Sequence, residues 1–124
     1  MFATVEAVEK AFYKAIEDHD LEAMKGIWAQ ADDIIYVGPD GQASVGRVAV
    51  LETLAQAFAT APLVRFDLVR SVDFGTDALA VRVNRENVTL VESDKRTALV
   101  GANNFRREAD GWRVVLHQAT RIAA

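Results

Sequence analysis

The chain of 124 residues has no cysteine, which excludes disulfides, thiolate nucleophiles, cysteine-based zinc sites and iron–sulfur clusters. It has only two histidines, His19 and His117, too far apart in sequence to share a metal-ligating spacing, so no metal site and no cofactor is expected. No run approaches the roughly 18 uninterrupted apolar residues of a membrane helix. Neither sign of charge prevails strongly: 14 Lys and Arg against 18 Asp and Glu leave a formal net charge of −4. The basic residues are scattered, so the broad positive field that nucleic acid or an anionic membrane would need is missing. Met1–Glu6 carries an acid early and no basic stretch before an apolar one; it does not read as a secretory signal, and the cytoplasm is the expected location.

What is present is an ordinary globular composition, 51% hydrophobic and 26% charged with two prolines. A chain of this length can bury a core without staples, so one domain is expected over residues 1–124. Val5, Val8, Phe12 and Ile16 recur at steps of three and four, a one-sided amphipathic helix that Thr4 can cap. Asp20 is placed to cap a second, shorter helix facing inward through Leu21, Met24, Ile27 and Trp28. A brief strand at 34–37 ends in the turn Gly38-Pro39-Asp40-Gly41, and a third helix, with Val50, Leu54 and Phe58 on one side, runs until Pro62. From Leu63 the apolar period drops to two, giving four strands at about 63–74, 77–91, 96–108 and 112–122. Helices followed by strands predict an α+β fold in which three helices cover one face of a strongly curved antiparallel sheet.

Hairpin registers predict which side chains share that face. A two-residue loop at Asp110-Gly111 sets Phe105 opposite Leu116 and Asn103 opposite Gln118. A three-residue loop would set Asn104 beside Leu116, and the first register is preferred because it pairs apolar with apolar. Through the turn at 92–95, Asn84 then faces Asn103 and Glu86 faces Gly101, which leaves room over the carboxylate. The Gly75-Thr76 turn gives the start of the second strand the other parity, so a β-bulge is expected between Val83 and Glu86. The result is a concave pocket with walls from Trp28, Phe58, Phe105 and Leu116. Its polar groups are Tyr36, Asn84, Glu86, Asn103 and Gln118.

Several short motifs carry a resemblance over nearly the whole chain: Gly46-Arg47-Val48-Ala49-Val50-Leu51, Glu86-Asn87-Val88-Thr89, Ala102-Asn103-Asn104-Phe105, and the run from Asp110-Gly111-Trp112 to Gln118-Ala119-Thr120. In their order and spacing they resemble the nuclear transport factor 2-like, or SnoaL-like, superfamily, in particular its small bacterial single-domain members. The resemblance implies a cone-shaped curved-sheet barrel but no single activity, because the fold hosts ketosteroid isomerases, polyketide cyclases, dehydratases, epoxide hydrolases and non-catalytic association domains. Two departures count against acid–base chemistry: Leu116-His117 stands where related sequences often carry two histidines, and Gly38 where they often carry one before the proline.

Glu86 is the leading candidate base, since a carboxylate in an apolar cavity has its charged form disfavoured; its bland alternative is a solvated acid paired with Arg82 or Arg85. Tyr36 is the candidate oxyanion donor, as in isomerases of this fold. Asn103 and Gln118 are expected to position a carbonyl or hydroxyl. Asp32 and Asp33 are read as solvated, His19 as exposed, and His117, between Val115 and Ala119 on the outer face, as an interface residue. Val81, Val83, Val100 and Val115 on that face point to a homodimer. The expected function is binding of a small apolar carbonyl- or hydroxyl-bearing compound, with cofactor-independent acid–base chemistry on it. The competing reading is a non-catalytic ligand-binding or association module.

Overall fold

The computed structural model describes residues 1–122. The elements run α1 (Val5–Asp18), α2 (Leu21–Ile27), β1 (Ile35–Val37), β2 (Ala43–Val45), α3 (Arg47–Thr60), β3 (Val64–Gly75), β4 (Leu79–Leu90), β5 (Arg96–Glu108) and β6 (Gly111–Arg121). Thr4 Oγ1 accepts the Ala7 N–H at 3.1 Å and Asp20 Oδ1 the Ala23 N–H at 3.0 Å, each satisfying an amide that a first helical turn leaves without a partner. Between the two helices His19 adopts left-handed backbone, φ 51°. Its N–H closes on the carbonyls of Ala15 and Ile16, and the chain reverses there.

The sheet has six strands in the order β2-β1-β6-β5-β4-β3 and is mixed, a correction to the antiparallel expectation. Strands β3 to β6 form the expected meander, but β1 pairs with β6 in parallel. The parallel run starts upstream, where Trp28 bridges Val114 and the Ala29 N–H donates to the Val114 carbonyl at 3.0 Å. The chain leaving α2 is thereby laid along β6 in the same direction. Strand β2, three residues long and too short for its alternation to register as a pattern, folds back antiparallel on β1.

All three hairpin registers differ from those expected, that of β4–β5 by two residues, which keeps the expected faces. In the β5–β6 hairpin, Glu108 pairs with Gly111, and Phe105 pairs with Val114. The turn therefore sits at Ala109-Asp110, one residue early. Gly111 is in the ladder because the N-terminus crosses it: its φ is +135°, a side chain there would collide with the Phe2 backbone, and the Trp112 N–H donates to the Phe2 carbonyl at 2.8 Å. A bulge beyond Phe105 then brings Asn104 opposite Leu116 and Asn103 opposite His117. In the β3–β4 pair the irregularity lies on β3, between Arg70 and Val72, rather than on β4. Strand β4 therefore keeps one parity throughout, with Ala80, Arg82, Asn84, Glu86 and Val88 all buried on the inner face.

The core under the helices is built from Phe12, Met24, Ile27, Trp28, Leu54, Phe105 and Val114, each fully buried. Helix α1 is also fastened to the sheet by charge. Glu9, buried on its inner face, accepts from Arg70, from Arg82 at 3.0 Å and from Asn84 at 2.9 Å. Glu6 and Asp73 complete the coordination of the Arg82 guanidinium. A buried carboxylate and a buried guanidinium are tolerable inside a protein only with their hydrogen-bonding capacity filled in this way.

Candidate active site

Between α1, α3 and the sheet the core opens into a cavity of about 290 Å³. Its walls are apolar, from Ile16 of α1, Leu54 and Phe58 of α3, and Phe66, Val88 and Leu99 of the sheet. The mouth is marked by Pro39, Ala61 and Pro62, all exposed. His19 also reaches it, stacked flat on Phe58 with ring centroids 5.2 Å apart. The expectation that His19 is simply exposed is corrected, because the left-handed turn between α1 and α2 points its ring back toward α3. Three further polar side chains open onto the cavity: Tyr36, Glu86 and His117.

Two of these are the ends of a single hydrogen-bonded chain. Glu86 Oε2 accepts the Tyr13 hydroxyl at 2.6 Å, the Tyr13 oxygen accepts from Asn103 Nδ2 at 2.9 Å, and Asn103 Oδ1 lies 2.6 Å from His117 Nδ1. The directions follow from one another. With Glu86 ionised, Tyr13 must donate to it and accept from the amide; the amide oxygen is then left to accept from His117, whose Nδ1 carries the proton. Nε2 is consequently a bare lone pair. Glu86 Oε1, His117 Nε2 and the Tyr36 hydroxyl make no hydrogen bond among the described residues, and none of the three is sealed from the cavity. The imidazole is held between Phe12 (centroids 4.9 Å) and Tyr36 (5.6 Å, planes 22° apart).

The apolar surroundings disfavour every charge here. Burial raises the Glu86 carboxyl above its usual value; the Tyr13 hydrogen bond opposes this and the nearby Glu9 charge adds to it. Burial alone pushes His117 down to about 4. Tyr36 is raised by burial and by the Glu86 charge, and Tyr13 is raised by the same two influences. Desolvation thus works against the ionised form of both groups, raising the carboxyl and lowering the imidazole in one chamber. Among the described residues no three His, Asp or Glu side chains are grouped as a metal site.

The predicted site residues do not all meet at the cavity. Tyr36, Phe58 and Glu86 line the cavity. Asn103 is buried one bond behind it, and Asn84 is buried but belongs to the Glu9 network, bonded to Glu9 and Arg70. Trp28 and Phe105 are closed core rather than wall. Leu116 and Gln118 lie on the outer face, Gln118 exposed, and His117 moves to the inner face. The bulge beyond Phe105 leaves this part of the β5–β6 ladder off by one residue and exchanges their faces, since strand side chains alternate. Tyr13 was not anticipated as a site residue. Its signal was the four-residue spacing from Glu9, which places both on the same side of α1.

The SnoaL-like domain family matches residues 5–123 of the chain. A structure from Thiobacillus denitrificans, named as a candidate calcium/calmodulin-dependent protein kinase type II association domain, is 31% identical, with a TM-score of 0.93 and coverage of 99% of this chain and 98% of that one. A candidate dehydratase of the nuclear transport factor 2-like family from Streptomyces avermitilis is 26% identical, TM-score 0.86, covering 97% and 94%. A ketosteroid isomerase-like protein from Erwinia carotovora atroseptica, 21% identical at TM-score 0.72 over 97% and 95%, shares the fold. No curated protein gave a match. The fold is that of the nuclear transport factor 2-like superfamily, α+β with three helices on a curved, unclosed sheet. Within it, the chain belongs to the SnoaL-like domain family.

Proposed function

We propose that the chain binds a small, largely apolar compound bearing a carbonyl or hydroxyl group and acts on it by acid–base chemistry. The observation that carries this reading is one apolar cavity onto which a desolvated carboxyl, a neutral imidazole and a free phenol hydroxyl all open. Proton transfer by a positioned group is most effective when its pKa lies near the working pH, and burial moves Glu86 in that direction. Glu86 would remove a proton next to a carbonyl, and the Tyr36 hydroxyl would donate to the oxygen on which charge develops. His117 Nε2 would hold or return a proton. Asn103 and Tyr13 act through their neighbours, fixing the imidazole tautomer and the carboxyl rotamer. A volume of about 290 Å³ lies at the lower end of the scale of small-ligand sites.

The test is deuterium incorporation from D₂O into the α-positions of small cyclic ketones, a reaction that needs only proton removal and return. Exchange by the native chain should fall about a hundredfold or more in Glu86→Gln, the scale of one general base. Equal exchange in Glu86→Gln, or none from ketones that nuclear magnetic resonance shows in the cavity, would end the catalytic reading. Assembly is a second role with its own support: the outer sheet face exposes Phe74, Leu79 and Val100, and the Thiobacillus denitrificans relative is named for an association domain.

A further inference from the structure

A second hollow adjoins the cavity near its mouth. Tyr36, Pro39 and Ala57 line both the cavity and this hollow of about 430 Å³, so the two hollows share a wall from the β1–β2 turn and α3. The outer hollow has a different chemistry, with Asp40, Gln42, Ser44, Thr53, Gln56 and Arg121 around it. Several of these groups are already engaged. Ser44 Oγ and Thr53 Oγ1 lie 2.6 Å apart, and Asp40 Oδ1 accepts the Gln42 N–H at 3.0 Å.

Arg121 is different. The inward arginines of the sheet, Arg70 and Arg82, are both paired with Glu9, whereas Arg121 makes no ion pair or hydrogen bond among the described residues. It pairs with Leu99 in the β5–β6 ladder and, two residues beyond Ala119, continues the inner row in which Leu99 and Ala119 line the cavity. Arg121 therefore extends the row that lines the apolar cavity and itself lines the outer hollow, with no side-chain partner among the described residues.

We infer that the two hollows are one two-part site, in which Arg121 receives the carboxylate of a ligand whose apolar body fills the inner cavity. This deepens the proposed function and rests on it. A guanidinium recognises a planar carboxylate through two parallel hydrogen bonds, a geometry a hydroxyl cannot supply. Asp40 in the same hollow limits the charge the site accepts, since a dianionic head would meet its carboxylate. The favoured class is thus an amphipathic monocarboxylate.

Titration calorimetry on the full chain tests this with a homologous series of ω-phenylalkanoates and the matching ω-phenylalkanols, each followed at Val88, Leu99 and His117 by nuclear magnetic resonance. At the best-fitting length the carboxylate should bind about tenfold more tightly than the alcohol, the scale of one charge-assisted bidentate contact. Arg121→Gln, a change at an exposed position, should erase that preference and leave alcohol binding as it was. Equal binding of acid and alcohol by the native chain, or an equal loss of both in Arg121→Gln, would overturn the subsite while leaving the inner cavity intact as a binding site. Failure of every member of both series to perturb Val88, Leu99 and His117 would overturn the cavity reading and the subsite with it.

Discussion

A carboxyl and an imidazole are pushed in opposite directions by the same apolar walls, and the pH dependence of stability reports it. His117 has its folded value lowered to about 4 from 6.5. The unfolded chain therefore binds the extra proton in that window, and stability contributed by the neutral ring is complete above pH 6.5 and lost as pH falls toward 4. Glu86 acts with the other sign. Its folded value is raised above 4.5, so its ionisation destabilises the fold as pH rises from there. We expect His117→Gln to flatten the acid limb of a denaturant-measured stability profile by up to about 1.4 kcal/mol per pH unit, the slope of one linked proton. A profile that keeps the native slope between pH 6.5 and 4 would show that the ring is not buried neutral. Tyr13→Phe is a sharper cut: it leaves Glu86 Oε2 and Asn103 Nδ2 buried without their partner. The expected cost is about 1–3 kcal/mol, together with a further rise of the Glu86 value, because the lost hydrogen bond was holding it down; carbon-detected titration of Glu86 measures the second effect. Glu86 could be read inward from its strand because the β4–β5 register is off by two residues, an even number that preserves the face. Gly101 does leave room for its carboxylate, since a side chain there would strike it. His117 could not be read inward, since the bulge beyond Phe105 leaves its part of the ladder off by one.

At the scale of elements, the helices were legible because their signals are local: caps at Thr4 and Asp20, apolar steps of three and four, and Pro62 after the third. The sheet was legible in its long strands and obscure where pairing is set from a distance. Neither the parallel seating of β1 on β6 nor the displacement of the Gly111 turn by Phe2 has a counterpart in neighbouring residues. Helix α1 carries a further long-range device that periodicity hides. Its apolar stripe explains how it packs, but Glu9 explains how it is registered, because two arginines from separate strands and the Asn84 amide meet on one carboxylate. Removing that carboxylate in Glu9→Ala strands the Arg82 guanidinium, only 4% exposed, without its central counter-ion. Breaking a buried pair in this way costs about 3–5 kcal/mol. Urea denaturation should show a loss of that size, and Glu9→Gln, which keeps the shape and one acceptor, should recover part of it. A loss within the error of a surface substitution would mean that packing alone holds α1 in place.

At the scale of the whole molecule the two faces of the sheet have opposite needs. The inner face is covered by three helices, whereas no helix among the described residues covers the outer one. One end of that outer face is apolar: Val72 and Phe74 of β3 stand opposite Val83 and Val81 of β4, and Val83 stands opposite Ala102 of β5. Phe74 remains 63% exposed, whereas Val115, expected here, packs on the core instead. Exposed apolar patches of more than a few hundred Å² usually mark a contact surface, and a second copy related by a two-fold axis covers such a patch with its own equivalent. We therefore expect a homodimer through this face, and the paired change Phe74→Asp with Val100→Asp to convert it to monomer. Sedimentation velocity at micromolar concentration reads the change, with near-ultraviolet circular dichroism confirming that the core of each subunit is unaltered. Because both positions point away from the cavity, monomeric chains should keep the ligand affinities of the inner site. Native chain that sediments as monomer throughout this range would contradict the dimer, and loss of ligand affinity in the paired variant would show that the sheet's two faces are coupled.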